Sequence, residues 1–155
     1  MLKNPRFNAN LNLAIDLEPL LVIIPCGGKK RPEPCRAEQM YTGPYHRACR
    51  RLALLWAPRD RVLILSARYG LLRLDDWIEP YELRMGRPGC VGEGIVRAQA
   101  GRMGLLGSRR VIALGGFSYT NICRQVWPGA AVPLSGVGGI GKQLRWLNHA
   151  IGKFH

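Results

Sequence analysis

The feature that most constrains the fold is a set of four short apolar runs separated by longer, more polar segments. The runs are LLVIIPC at residues 20–26, RVLILS at 61–66, RVIALGG at 110–116 and AAVPLSG at 130–136. Because these runs show little alternation between apolar and polar residues, they are typical of strands buried on both faces. They predict a mainly parallel sheet of about four strands, one for each run.

The segments between the runs indicate helices. Residues 42–58, 117–127 and 141–151 have apolar residues at helical spacing, and Pro44 lies where a first helical turn tolerates proline. The apolar face of the first segment consists of Ala48, Leu52, Leu55 and Trp56. Strands that alternate with helices predict an α/β fold, a single three-layer domain in which helices flank the sheet.

The balance of charge points to an anionic partner. The chain of 155 residues has 23 Lys and Arg residues against 10 Asp and Glu residues, which gives a net charge of +13. Such an excess is the electrostatic footprint of a nucleic-acid-binding domain, and a solvated basic surface or a membrane-binding surface is the alternative interpretation. We therefore expect nucleic acid, and DNA in particular, as the partner.

Several classes of protein are not indicated by this sequence. Residues 1–16 are polar throughout, unlike a secretory signal peptide, and we interpret them as an arm that precedes a domain at residues 17–155. The longest apolar run, residues 20–25, is far shorter than the ~18 residues that cross a bilayer. Five cysteines without C-x-x-C spacing indicate neither a disulfide framework nor a zinc site. We expect a cytoplasmic protein with no metal, cofactor, membrane or obligate protein partner.

Ligands of such folds bind in the loops at the carboxyl ends of the strands. After the first run, two glycines precede Lys29 and Lys30, so backbone N–H groups and ammonium groups together form a candidate phosphate site. The loop lacks the spacing of a P-loop, which argues against an ATPase. The alternative interpretation is a simple turn with solvated lysines.

A second candidate phosphate site lies at residues 135–142, SGVGGIGK. Gly136 and Gly138 precede the last predicted helix, which presents Lys142 and Arg145 one turn apart. The segment resembles the hairpin and second helix of a helix-hairpin-helix element, and a helix N-terminus offers unpaired N–H donors to a phosphate. The alternative is a tight turn that needs glycine for conformational reasons only.

Residues 66–86 carry the pattern S-x-x-Y-G-L-L-R-x-x-D-x-x-x-P-Y-x-L-x-M-G. This stretch resembles the signature of the YaaA family of DNA-binding stress proteins, and Tyr41-Thr42-Gly43 and Pro25 extend the likeness. The chain looks like a shorter relative of that family, of unassigned function. The resemblance implies DNA binding and protection against oxidative damage. The nucleic-acid-binding candidates in and near these motifs are Tyr41, Tyr45, Ser66, Tyr69, Arg73 and Tyr81.

Three acidic residues, Asp75, Asp76 and Glu79, lie inside this signature, next in sequence to aromatic residues. A carboxylate can activate water or stabilise the cationic sugar that forms when a base leaves, so we regard the three as candidate catalytic residues. Asp76 is preferred because it matches the resembling family. The alternative is structural, with Asp76 paired to Arg73 or Arg84.

Cys26 and His46 are further candidates for chemistry. Cys26 follows the first run near Lys29 and Lys30, where a thiol can become nucleophilic, and the alternative is a buried, inert thiol. His46 lies at the start of a predicted helix, where it could act as an acid or base or serve only the structure.

Three functions are compatible with these features. The leading hypothesis is a DNA N-glycosylase that hydrolyses the bond to a damaged or modified base, with the aromatic residues stacking on the base. The second is a non-catalytic DNA-binding module of the YaaA type. The third is a base- or nucleotide-modifying transferase that uses Lys29, Lys30 and Cys26.

Overall fold

The computed structural model describes residues 18–154, and its centre is a mixed sheet. The strands of the chain are β1 (Leu21–Pro25), β2 (Cys35–Arg36), β3 (Val62–Ser66), β4 (Gly70–Arg73), β5 (Trp77–Ile78) and β6 (Val111–Ala113). The main sheet has the order β4-β3-β1-β6, in which β1 is parallel to β3 and β6 while β4 is antiparallel to β3. The short strands β2 and β5 pair separately, in antiparallel orientation. The predicted, mostly parallel sheet is therefore confirmed.

The helices of the described chain are α1 (Ala37–Met40), α2 (Pro44–Trp56), α3 (Glu93–Arg102), α4 (Phe117–Val126) and α5 (Ile140–Gly152). The three helices predicted from apolar spacing are confirmed as α2, α4 and α5. A short 3-10 turn, Arg59–Arg61, leads into β3. On α2 the buried positions include Ala48, Cys49, Leu52 and Ala53. Leu55, predicted for this face, is instead 39% exposed because it lies beyond the edge of the buried stripe.

The crossover connections between parallel strands determine on which face of the sheet each helix lies. The chain moves from β1 to β3 through α2, and it returns past β1 to β6 through α3. Because crossovers between parallel strands are right-handed, opposite directions of travel place α2 and α3 on opposite faces of the sheet. α5 packs against α2, and α4 packs against α3. This arrangement is the predicted α/β domain, and it explains why every residue of β1 and β3 is buried.

The fourth apolar run does not form the fourth strand, so this part of the prediction is wrong. In residues 130–136 only Ala131 makes a bridge, parallel to Ile112, and the chain then turns. Pro133 has no N–H to donate to a neighbouring strand, which disfavours a longer ladder. The place of the fourth strand is taken by β4, whose pairing with β3 makes the sheet mixed.

Residues 18–154 contain no helix of the length and apolar content needed to cross a bilayer. The predicted polar arm at residues 1–16 lies outside the described residues, and so does the predicted start of the domain at residue 17.

The turn between β3 and β4 is held by α3. Gly70 has a φ of +74°, and a Cβ built on it would lie 2.1 Å from the side-chain oxygen of Gln99. That side chain cannot move aside freely, because its Oε1 accepts the Leu71 N–H at 2.8 Å and its Nε2 donates to the Tyr69 carbonyl at 2.8 Å. Glycine is therefore needed here both for its backbone conformation and for space.

We expect Gly70→Ala to lower the free energy of unfolding by about 2 kcal/mol or more, through left-handed strain and displacement of the Gln99 carboxamide. Gly89→Ala is the matched control, because Gly89 also has a positive φ, +90°, but no atom within 4 Å of its would-be Cβ. Chemical denaturation of both variants separates the two effects. Equal losses at the two positions would contradict a special role for the contact with Gln99.

Candidate functional site

Polar and aromatic side chains gather where the parallel strands end, an edge of the sheet that we call the carboxyl edge. Cys26 directly follows β1, and Ser66 is the last residue of β3. Tyr41 lies between α1 and α2, and Tyr81 lies in the loop after β5. These residues come from four separate parts of the chain, and the parallel strands bring them to one place.

The hydroxyl groups of Tyr41, Ser66 and Tyr81 form a hydrogen-bonded chain, which we call the tyrosine–serine cluster. The Tyr81 oxygen lies 2.7 Å from the Tyr41 oxygen and 2.8 Å from the Ser66 oxygen. Ser66 Oγ also accepts the N–H groups of Arg68 and Tyr69, at 3.2 and 3.0 Å. Both lone pairs of Ser66 are then used, so its O–H donates to Tyr81, while either hydroxyl can be the donor between Tyr81 and Tyr41.

The phenols of this edge are neutral hydrogen-bonding groups. Burial raises the pKa of Tyr41, Tyr81 and Tyr119 above the ordinary tyrosine value, because water no longer stabilises a phenolate. The Tyr119 hydroxyl, on α4, lies 3.1 Å from the sulfur of Cys26. Cys26 is buried with an exposed fraction of 6%, which agrees with the interpretation as a buried thiol.

Lys30 is held over the tyrosine–serine cluster. Its Nζ lies 4.4 Å from the centroid of the Tyr81 ring and 5.9 Å from that of Tyr41, in cation–π geometry. Nζ also donates a long hydrogen bond, 3.4 Å, to the Gly28 carbonyl. Burial lowers the pKa of Lys30, since the charged form loses part of its hydration. Lys29, its neighbour in the predicted phosphate loop, is exposed.

His46, in the first turn of α2, is a buried anchor between that helix and β1. Its Nδ1 lies 2.8 Å from the Pro25 carbonyl, so Nδ1 carries the proton and donates. Burial lowers the pKa of His46 to about 4, and the ring is therefore neutral near neutral pH. Its Nε2 is buried without a hydrogen-bond partner among residues 18–154.

Three adjoining clefts give the molecule a continuous basic surface. The largest, of about 460 Å³, lies between α2 and α5 and is lined by Arg47, Arg50 and Arg51 over apolar side chains. The second, of about 290 Å³, shares Arg47 and Arg50 and adds Arg31. We call these two together the arginine groove. The third, of about 270 Å³, shares Arg31 and is lined by Lys30 and Tyr81, and we call it the Lys30 cleft.

The structure does not bring Asp75 and Asp76 to the carboxyl edge, which corrects the predicted acidic site. β4 runs antiparallel to β3 and pairs Arg73 with Leu63, near the start of β3, so the acids that follow lie at the opposite edge. Asp75 forms an ion pair with Arg59 at 3.0 Å, and Asp76 Oδ2 accepts the Arg73 N–H at 2.8 Å.

Asp75 and Asp76 thus both make structural contacts, and the partner of Asp76 is a backbone N–H and not a guanidinium group. Arg73 itself lies with them, away from the carboxyl edge. Glu79 is exposed, and its backbone carbonyl, not its carboxylate, accepts the Tyr69 hydroxyl at 3.2 Å. The half-buried ring of Tyr69 packs edge-on against Tyr81, with centroids 5.5 Å apart, so one of these two predicted tyrosines is partly accessible.

The glycine-rich segment before α5 forms a turn and not a helix-hairpin-helix element. Gly136 and Gly138 have φ values of +78° and +128°, and the part of the chain before them is a bridge and a turn. This described segment therefore lacks the first helix that a helix-hairpin-helix element requires. Gln143 Nε2 donates to the Gly138 carbonyl at 2.8 Å, and its Oε1 accepts the Tyr45 hydroxyl at 2.5 Å. Tyr45 therefore joins the starts of α2 and α5.

Lys142 and Arg145 are exposed on α5, as a phosphate-binding role requires. Other residues of the site were not among the predicted site residues: Arg31, Arg47, Arg50, Glu82 and Tyr119. A weak signal existed for two of these, because Arg47 and Arg50 lie on the polar face of the predicted helix. Arg31 and Glu82 directly follow the predicted residues Lys30 and Tyr81 in the sequence. Tyr119 carries no local signal, since it joins the site through its contact with Cys26 from a distant part of the chain.

Residues 21–149 match a family model described as a family of unknown function, DUF6884. The chain belongs to this family. It is 35% identical over 147 residues to the uncharacterized protein YfjM of Bacillus subtilis (strain 168), an alignment that covers 87% of this chain and 97% of that protein. No solved structure matches the chain. The matched residues include the tyrosine–serine cluster, the Lys30 cleft and the arginine groove except Ile151, while the likeness to YaaA proteins stays a prediction.

We expect Tyr81→Phe to lower the free energy of unfolding by about 1–3 kcal/mol, because it leaves Ser66 and Tyr41 without their buried partner. Tyr69→Phe is the control, since it removes one exposed hydrogen bond to the Glu79 carbonyl. Urea denaturation of the two variants measures the difference. A Tyr69→Phe variant as destabilised as Tyr81→Phe would contradict the importance of the buried hydroxyl chain.

Proposed function

We propose that this protein binds nucleic acid, with the phosphate backbone lying along the arginine groove. The observation that carries the proposal is the sharing of Arg31, Arg47 and Arg50 between adjoining clefts, which makes separate basic patches into one track. A track of guanidinium groups suits a linear polyanion, because each phosphate neutralised releases condensed counterions. The net charge of +13 provides the long-range attraction.

The lining of the groove favours a nucleic acid strand over a small anion. Its largest cleft has apolar side chains, Ala48, Leu54 and Ile151, between the basic groups. Such surface suits sugars and the faces of bases, while the arginines contact phosphates. From Arg47 to Leu54 the helix rises about 10 Å, the length of roughly three nucleotides of one strand.

The acidic residue that lines the groove, Glu38, is engaged with other basic groups. Glu38 lines the second cleft, and its carboxylate lies 2.8 Å from Arg59. The Glu38 backbone carbonyl accepts a hydrogen bond from Arg50, which fixes that guanidinium at the groove. Burial lowers the pKa of Arg50. Because the ordinary pKa of arginine is so high, the guanidinium group stays charged. The repulsion between Glu38 and a bound phosphate is therefore reduced.

Among the three functions considered from the sequence, the geometry favours binding without catalysis by Asp76. N-glycosylase activity would need the carboxylate beside the departing base. Asp76 caps a turn at the edge opposite the tyrosine–serine cluster, whereas the basic clefts lie beside that cluster. The transferase hypothesis uses Lys30 and Cys26, which do share the carboxyl edge, although Cys26 is buried.

We expect Arg31→Ala and Arg47→Ala each to weaken binding to single-stranded DNA and to reduce the slope of log K against log salt by about 0.7, the value for one lost phosphate contact. Arg124→Ala is the matched control, because Arg124 is exposed on α4 and outside both clefts. Fluorescence anisotropy titrations at several salt concentrations give affinity and slope together. Binding that is insensitive to salt, or equally weakened in all three variants, would refute the proposed track.

We expect Asp76→Ala to lower the free energy of unfolding by about 1 kcal/mol, through loss of the bond to the Arg73 N–H, while nucleic acid affinity is unchanged. Asp60→Ala is the control, since it removes an exposed acid of equal charge from the 3-10 turn next to the same edge. The measurements are thermal melting, DNA affinity and base release from duplexes with one modified base. If the parent protein releases the base and Asp76→Asn lowers the rate of release by about 100-fold or more, Asp76 would again be assigned a catalytic role.

A further inference from the structure

We infer that the Lys30 cleft receives one unstacked guanine of the strand that lies in the arginine groove. This inference rests on the proposed function and names the base that the site selects. The cleft adjoins the groove at Arg31, so a base turned away from the backbone track would enter it directly. Proteins that recognise single strands commonly read such splayed bases on their hydrogen-bonding edges.

The size and walls of the cleft suit a single base. Its volume of about 270 Å³ is below the range of about 300–1,000 Å³ that is usual for drug-sized ligands. Pro32 and Pro80 line it with apolar surface, against which the flat face of a base can pack. A whole nucleotide with its phosphate is better accommodated by the cleft and the groove together.

The polar groups of the cleft match guanine. Lys30 and Arg31 donate hydrogen bonds, and the carboxylate of Glu82 accepts them. Guanine presents two adjacent acceptors, O6 and N7, which are the preferred targets of lysine and arginine. Its N1–H and N2–H groups are two adjacent donors that one carboxylate can accept together. Adenine, cytosine and thymine do not combine a pair of acceptors with a pair of donors in this way.

Lys30 is placed before any ligand arrives. Its ammonium group is seated over the Tyr81 ring at 4.4 Å, and that ring is held by the hydroxyl bonds to Tyr41 and Ser66. With one long hydrogen bond to Gly28, Nζ keeps donors for a ligand. A cation held in a fixed position loses less entropy on binding than a free surface lysine. The tyrosine–serine cluster therefore acts as the support of the proposed base site.

The test uses single-stranded oligothymidylates that differ only at one central position, which is dG, dA, dC or dT. Fluorescence anisotropy at fixed salt gives the affinity of the full chain for each. We expect the dG strand to bind about 10-fold more tightly than the others, within the range of discrimination usual for one well-placed set of base contacts. Glu82→Gln should remove this preference and leave affinity for the all-thymidine strand equal or slightly increased.

Glu79→Gln is the matched control, because Glu79 is an exposed acid three residues away that does not line the cleft, and it should keep the preference. Circular dichroism verifies that both variants are folded. Equal affinity for all four strands, a preference for another base, or a dG preference that survives Glu82→Gln would overturn the inference and leave the proposed function intact. Failure of every strand to bind would overturn both.

Discussion

The hydroxyl of Tyr81 is the contact on which the arrangement of the carboxyl edge depends. Tyr81 lies in a loop without regular secondary structure, so backbone ladders do not position it. Its bonds to Ser66 and Tyr41 tie that loop to the end of β3 and to the connection between α1 and α2. Lys30 is seated on the ring that these bonds hold, and the Lys30 cleft opens beside it. Buried hydroxyl groups are costly unless fully bonded, which makes such a contact specific.

The distribution of charge follows from the same architecture. Near the start of β3, the carboxylates of Asp75 and Glu38 both form ion pairs with Arg59. The arginine groove lies on the other side of Glu38, where Arg50 binds the backbone carbonyl of that residue and not its carboxylate. A few acidic residues in a basic chain thus hold structural elements together while the groove stays positively charged. Exposed ion pairs of this kind contribute little stability, so their main effect here is on position.

The sequence predicted elements whose signals are local and missed those that depend on distant partners. The apolar spacing of α2, α4 and α5 and the uninterrupted apolar runs of β1 and β3 are properties of short segments. β4 has the residues of a strand, but only its antiparallel pairing with Val62–Ser66 makes it one. The run at residues 130–136 has the composition of a strand but does not form one, because Pro133 cannot donate a backbone hydrogen bond to a neighbouring strand. Within the site, Lys30, Tyr41, Ser66, Tyr69 and Tyr81 were predicted, whereas Arg31, Glu82 and Tyr119 were not.

The sequence by itself determined the class of fold, the basic character and the set of polar residues that follow the strands. Each of these properties depends on composition or on spacing within one segment, which is why no structure was needed to find them. Only the tertiary structure decided which of these residues meet. Antiparallel pairing of β4 carries Asp75 and Asp76 to the far edge, while the loop that follows β5 returns Tyr81 to Ser66. The direction of one strand, which no local pattern encodes, thus separates the acids from the basic clefts.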